Sequence, residues 1–185
     1  MAKMLWHNTM TIDGFVAGAA DDMSWMTPYF GADEIVDEVL PQIGALLVGA
    51  RTFRGIMNSE EAKPYGGAIE VPQFVLTHAD VSSAPAGFSF VGGEMADIVE
   101  EVKAAAGDRY VAILGQQAGR AVLDADLLDE ILVHLTPLIL GDGLRMFERA
   151  ESTKRLTLVR SHQSERVTDL WYRVLSPDQG GSGDR

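Results

Sequence analysis

Short apolar runs alternate with stretches whose apolar residues recur at helical spacing, and this order constrains the chain more than any single motif. Parallel strands need a long connection to return to the same edge, so strand-like segments separated by helical ones build a sheet with crossover helices. The first run, Met4 to Met10, ends at the turn pair Asp13-Gly14. A helix follows over Asp33 to Gln42, with Ile35, Val36, Val39 and Leu40 on one face, and then a buried strand, Ala45 to Val48. Gln73 to Thr77 and Phe88 to Val91 read as further strands. Met95, Ile98, Val99, Val102 and Ala106 make a helical stripe, Tyr110 to Leu114 is a strand, and Ala118, Ala121, Val122 and Ala125 begin another helix. The last third breaks the rhythm. Ile131 to Thr136 is a long strand, and Arg155 to Ser161 and Arg166 to Leu175 form a hairpin joined by His162 to Glu165. The fold class predicted is α/β: a mixed, mainly parallel sheet flanked by helices, with a C-terminal antiparallel hairpin.

The 185 residues suit one domain over 1–175, while the glycine-rich stretch 176–185 lacks core residues and reads as a flexible tail. With no cysteine, disulfides, thiolate metal sites and cysteine nucleophiles are excluded, and a reducing, cytoplasmic setting is expected. The longest apolar stretch, Ile43 to Ala50, is far short of the ~20 residues a membrane span needs, and Met1 to Asn8 turns polar too soon for a signal peptide. A net charge of −12 argues against a nucleic-acid surface and is ordinary for solubility. An anionic ligand would need a local basic patch, which makes the eleven arginines more informative than the four lysines.

No G-x-G-x-x-G fingerprint, Walker loop, H-E-x-x-H or G-x-S-x-G elbow is present. Two glycine-punctuated strand ends remain. In Val48-Gly49-Ala50-Arg51-Thr52-Phe53, backbone amides, a guanidinium and a hydroxyl could meet an anion at a helix N-terminus; equally, Gly49 could merely turn the chain while Thr52 caps the helix. In Leu114-Gly115-Gln116-Gln117-Ala118-Gly119, a glycine turn opens the next helix, suited either to a diphosphate or to tight helix packing. Two such turns at one sheet edge strengthen each other, because ligands of open α/β sheets bind outside the carboxyl ends of the strands.

His7, His78, His134 and His162 show no metal-ligand spacing, so no metal is expected. His134 reads as a hydrogen-bonded interior histidine, whereas His78 ends a strand where an imidazole could meet phosphate or adenine. Asp33, Glu34, Asp37 and Glu38 read as a solvated helix face, one member of which could be a buried proton donor. Trp25 either covers a pocket or fills the core.

Taken in order, Thr11-Ile12-Asp13-Gly14-Phe15-Val16-Ala17-Gly18, Asp22-Met23-Ser24-Trp25, Gly49-Ala50-Arg51-Thr52-Phe53, Val75-Leu76-Thr77-His78, Ile113-Leu114-Gly115, Leu128-Asp129-Glu130-Ile131, His134 to Gly143 and Arg145-Met146-Phe147 are specific in spacing. The chain, over about residues 3 to 175, resembles the family that joins dihydrofolate reductases with the reductase domain of bacterial riboflavin biosynthesis, in its small stand-alone branch. The resemblance implies a dihydrofolate reductase-like fold and NADPH across the sheet edge, with NADH as the possible substitute. Gly49, Arg51 and Thr52 would hold its phosphates, Thr77 and His78 the adenosine end, and Gly115, Gln116, Gln117 and Ala118 the diphosphate and nicotinamide side. The substrate, a pterin-like or aminopyrimidine-like heterocycle, would lie against Asn8, Asp13, Gly14 and Trp25, with Asp33 as the proton-donating carboxylate. It further implies a homodimer. Hydride transfer to a C=N or C=O bond is the expected activity, and a non-catalytic ligand-binding or assembly protein that keeps the fold is the alternative.

Overall fold

A computed structural model describes residues 1–31, 33–58, 63–77, 84–148 and 152–176. The residues form ten strands, β1 (Met4–Thr11), β2 (Phe15–Ala17), β3 (Ile43–Gly49), β4 (Gln73–Leu76), β5 (Phe88–Val91), β6 (Tyr110–Leu114), β7 (Glu130–Thr136), β8 (Leu144–Arg145), β9 (Leu156–Gln163) and β10 (Thr168–Val174). Four α-helices accompany them: α1 (Glu34–Val39), α2 (Ala50–Met57), α3 (Met95–Ala106) and α4 (Gln116–Asp124). Eight strands make one sheet in the order β5-β4-β3-β6-β1-β7-β10-β9. The first six run parallel, and β10 and β9 add to β7 as the antiparallel hairpin the sequence predicts.

Both faces of the parallel part are covered, which is why its strands read as continuous apolar runs. On one face Met4, Trp6, Leu47 and Ile113 pack under α3 and α4 through Ile98, Val99, Val102, Ala118 and Val122. The Trp6 ring lies where a Cβ on Gly119 would stand, 2.0 Å from Cε2, so only glycine lets α4 approach this closely. The opposite face carries α1, whose Ile35 and Val39 bury against Leu5, Leu132 and Trp171, and α2, whose Phe53 and Ile56 pack on Ile43, Leu46 and Val48.

The α1 helix is shorter than predicted. Asp33 stands outside it as the N-cap, its Oδ1 accepting from the Ile35 and Val36 amides at 2.9 and 3.1 Å, and Pro41 turns the far end into a 3-10 turn over Leu40–Gln42. The hairpin turn also lies later than predicted: β9 runs through Gln163, and the Ser164 amide donates to the Val167 carbonyl at 3.0 Å. The small antiparallel pair β2 and β8 was not foreseen, because strands of three and two residues carry no readable periodicity.

At the amino ends of the strands a buried carboxylate holds the layers together. Glu130 accepts from Lys3 Nζ, Tyr110 Oη and Trp171 Nε1 at 2.7, 2.9 and 2.7 Å, while Asp129 accepts from the Met4 amide and Lys103 Nζ. Leu128-Asp129-Glu130-Ile131 therefore serves the scaffold. His78 and residues 177–185 of the tail lie outside the described residues.

Candidate functional site

The two glycine turns meet. Val48 pairs with Leu114 across β3 and β6, so Gly49 and Gly115 follow at the same level of the sheet edge. Gly115 has φ +104, and a Cβ there would stand 2.5 Å from Thr52 Oγ1 and 3.6 Å from the Gly49 amide nitrogen. Both the left-handed backbone and the space demand glycine. On the other side, Ala118 Cβ lies 3.6 Å from where a Gly49 Cβ would be. Gly49, Thr52, Gly115 and Ala118 thus form one cradle, with the N-termini of α2 and α4 opening onto it; Gln116 is buried and Gln117 exposed. Helix N-termini offer unpaired N–H groups and positive potential, which suits a diphosphate. Arg51 is at the surface beside it, its Nε donating to Asp21 Oδ2 at 2.7 Å with a further contact from Nη2 to the other oxygen. At the neighbouring strand end, the Thr77 amide donates to the Val91 carbonyl at 3.0 Å.

The segment after β1 is fastened rather than free. Asp13 accepts from Thr11 Oγ1 at 2.6 Å and from the Leu140 and Gly141 amides, and its carbonyl accepts from Arg145 Nη1 at 2.8 Å. The Thr11 hydroxyl, and then the Gly141 and Leu140 amides, outweigh the opposing effect of desolvation and hold the Asp13 carboxyl down at about 2. Gly14, at φ +91, makes the turn, and its carbonyl accepts from the Met146 amide at 2.9 Å. Thr11 to Gly18 and Thr136 to Met146, separate in sequence, are two halves of one structure. Three buried donors, Trp6 Nε1, Asn8 Nδ2 and Trp25 Nε1, have no acceptor among the described residues, and the last two lie on the segments that the sequence assigns to the substrate.

A row of polar side chains crosses the sheet on the face that carries α1 and α2. His7 is two residues beyond Leu5 in β1, His134 two beyond Leu132 in β7, and Asp169 two before Trp171 in β10, so strand alternation puts all three on the α1 side. His7 Nδ1 is 2.8 Å from Tyr65 Oη, His7 Nε2 is 2.6 Å from His134 Nε2, and His134 Nδ1 is 2.5 Å from Asp169 Oδ1. Asp169 Oδ2 is 3.1 Å from His162 Nδ1, and His162 Nε2 is 3.7 Å from Glu34 Oε2. Burial, and then the neighbouring His134, push His7 well below the ordinary histidine value, and burial pushes the Tyr65 hydroxyl up. Burial alone would raise Asp169; hydrogen bonds and charge from His134 and His162 outweigh it and leave the carboxyl below its ordinary value. The ladder pairs Trp6 with Ile113, so His7 stands beside the last strand residues before the glycine turns. Asp33, His162 and Asp169 offer atoms within 4.8 Å of one another, yet these are engaged: Asp33 caps α1 and Asp169 receives both histidines.

A family model described as the RibD C-terminal domain matches residues 2–169. The chain belongs to this family. Among solved structures similar to this RibD C-terminal domain is a Shewanella sp. PV-4 protein named for riboflavin biosynthesis, 22% identical with a TM-score of 0.81, covering 95% of this chain and 100% of that one. A pyrimidine reductase-like protein from Corynebacterium diphtheriae NCTC is 16% identical with a TM-score of 0.67, covering 95% and 92%. Dihydrofolate reductase from Enterococcus faecalis, in complex with NADP(H), is 11% identical with a TM-score of 0.65, covering 94% and 97%. The fold is therefore dihydrofolate reductase-like.

Within this RibD C-terminal fold the residues singled out by sequence divide into two groups. Gly49, Thr52, Gly115 and Ala118 converge; Arg51 and Thr77 border them; Asp13 and Gly14 fasten the adjoining loops. Asp33 lies near His162 and Asp169, at the far end of the polar row. Sequence reading missed Tyr65, Asp169 and the joining of His7 to His134. The alternation Leu5-Trp6-His7 and Leu132-Val133-His134 carried the signal, but it becomes legible only once β1, β7 and β10 are known to be neighbours.

Proposed function

We propose that this protein is an NAD(P)H-dependent reductase of a small heterocycle, pterin-like or aminopyrimidine-like, reducing a C=N or C=O bond. One observation carries the reading: the glycine turns after two adjacent parallel strands interlock into a cradle at two helix N-termini, directly beside a polar row on one face. Family membership supports it, as do the NADP(H) complex of the dihydrofolate reductase with this fold and the name of the Corynebacterium relative.

The chain's residues fit the cofactor on their own terms. A Cβ would fill the cradle at Gly115, and Asn8 Nδ2 and Trp25 Nε1 are buried donors awaiting acceptors. The Gly49–Thr52 and Gly115–Ala118 backbones would hold the diphosphate, Thr77 would border the adenosine end, and the substrate would lie toward α1 and the polar row. When bound, the cofactor supplies the hydride; the protein's work is to orient it, exclude water and provide a proton. A small molecule is the partner this reading requires. A soluble, cytoplasmic homodimer belongs to it as well, with the outer edge strand β9 exposing Leu156, Leu158 and Val159 as the pairing surface.

Thermal unfolding with NADPH and with NADH tests the reading. A nucleotide that binds only the native state at a hundredfold excess over its Kd stabilises it by about 2.7 kcal/mol. NADPH is expected to raise the midpoint more than NADH, and Arg51→Ala to reduce that preference, since freeing Arg51 from Asp21 gives the 2′-phosphate a guanidinium. No shift with either nucleotide would overturn the assignment.

A further inference from the structure

We infer that Tyr65, His7, His134 and Asp169 form a proton relay in which Tyr65 is the general acid toward the substrate and Asp169 a positioning residue acting through His134. This rests on the reductase reading above.

The hydrogen bonds are continuous and can run in only two directions. Asp169 accepts, so His134 Nδ1 carries a proton in both. With His134 neutral, its Nε2 accepts from His7 Nε2–H, His7 Nδ1 accepts from the Tyr65 hydroxyl, and the phenolic proton points inward. With His134 protonated, the two bonds beyond it reverse while the bond to Asp169 keeps its direction. His134 Nε2–H donates to His7 Nε2, His7 Nδ1–H donates to Tyr65 Oη, and the Tyr65 O–H is turned outward to a new acceptor. One proton stored beside Asp169 therefore sets the direction of a hydroxyl two rings away.

Discharge balances without further reagents. The Tyr65 proton passes to the substrate nitrogen or oxygen, the His7 Nδ1 proton replaces it on Oη, and the His134 Nε2 proton replaces that one on His7. His134 ends neutral, still donating to Asp169. The relay moves one proton and no electrons, and it recharges by the same hops in reverse when water replaces product at Tyr65. Burial keeps the parts in these roles: His7 stays neutral between hops, and the Tyr65 hydroxyl stays protonated until an acceptor arrives. The charged and titratable groups around His134 are His7 on β1 and Tyr65 on the Pro64–Gly67 turn, Asp169 on β10, His162 and Arg160 on β9, and Asp33, Glu34 and Glu38 from the α1 side, where Arg160 pairs with Glu34 and Glu38. Arg160 thus draws Glu34 and Glu38 to itself, and Asp169 is the carboxylate hydrogen-bonded to His134.

Two readouts test the relay in the intact protein. In nitrogen-15 histidine spectra without ligand, the His7 proton should move from Nε2 to Nδ1 as His134 becomes doubly protonated, because one proton sets both rings; a His7 tautomer that does not follow His134 overturns the relay. In NADPH oxidation with 7,8-dihydrofolate and with an aminopyrimidine, Tyr65→Phe should lower kcat by about 100-fold or more with NADPH affinity unchanged. Asp169→Asn should lower kcat and move the alkaline fall of the pH profile to lower pH, and Asp169→Glu should restore part of both. An unaltered kcat in Tyr65→Phe that still binds NADPH overturns the relay alone. A wild-type protein that binds no NADPH, or oxidises none with either heterocycle, overturns the relay together with the reductase reading.

Discussion

The stretch of the sheet around β3 and β6 and the stretch from β1 through β7 to β10 contribute different things to the candidate site. Around β3 and β6 the site is made of backbone: glycine turns, helix N-termini and the absence of side chains. Around β1, β7 and β10 it is made of side chains aligned across strands: His7, His134 and Asp169. A backbone cradle asks little of side-chain identity, whereas a row of side chains depends on each residue in it. The first half should therefore fail by losing ligand, and the second by losing rate and pH response.

The largest effect should come from Gly115→Ala. At φ +104 the backbone strain alone costs roughly 1–3 kcal/mol, and the new Cβ would stand 2.5 Å from Thr52 Oγ1. Denaturant unfolding should show the loss of stability, and NADPH should no longer shift the thermal midpoint. If Gly115→Ala binds NADPH as the wild type does, the cradle is not the cofactor site.

A smaller effect belongs to the polar row. His7 is held well below its ordinary value of 6.5, so below pH 6.5 the unfolded chain takes up a proton that the folded one refuses. Stability should then fall as pH drops, by roughly 1.4 kcal/mol per unit until folded His7 also protonates. Asp13 and Asp169 act in a separate window: their depressed carboxyls stabilise the fold above the ordinary carboxylate value of 3.8, and this contribution is lost as pH falls through the folded values, about 2 for Asp13. His7→Gln should remove the loss that begins at 6.5 and keep the one that begins near 3.8. Urea midpoints between pH 2.5 and 7.5 check this, and an unchanged slope between 4.5 and 6.5 in the variant would show that His7 is not held neutral.

The same division explains what was legible in the sequence. Helical stripes such as Ile98, Val99 and Val102 and runs such as Ala45 to Val48 are local patterns, and each became the element it predicts. The glycine turns were legible as a pair because each follows its strand directly. The polar row depends on which strands become neighbours, and β1, β7 and β10 are separated by most of the chain. Tyr65 enters from a 3-10 turn over Pro64–Gly67, where no periodicity marks it. Asp13-Gly14 was conspicuous, and the structure commits its carboxylate to fastening the loop at Leu140 and Gly141.

In the proposed reductase a nicotinamide cofactor lies across the interlocked glycine turns beside the polar row. Amide hydrogen exchange with and without NADPH reads this most directly. Slowed exchange at Gly49 to Thr52 and Gly115 to Ala118, with the β9 amides unaffected, is the predicted result. Unchanged exchange at both turns in protein saturated with NADPH would contradict it.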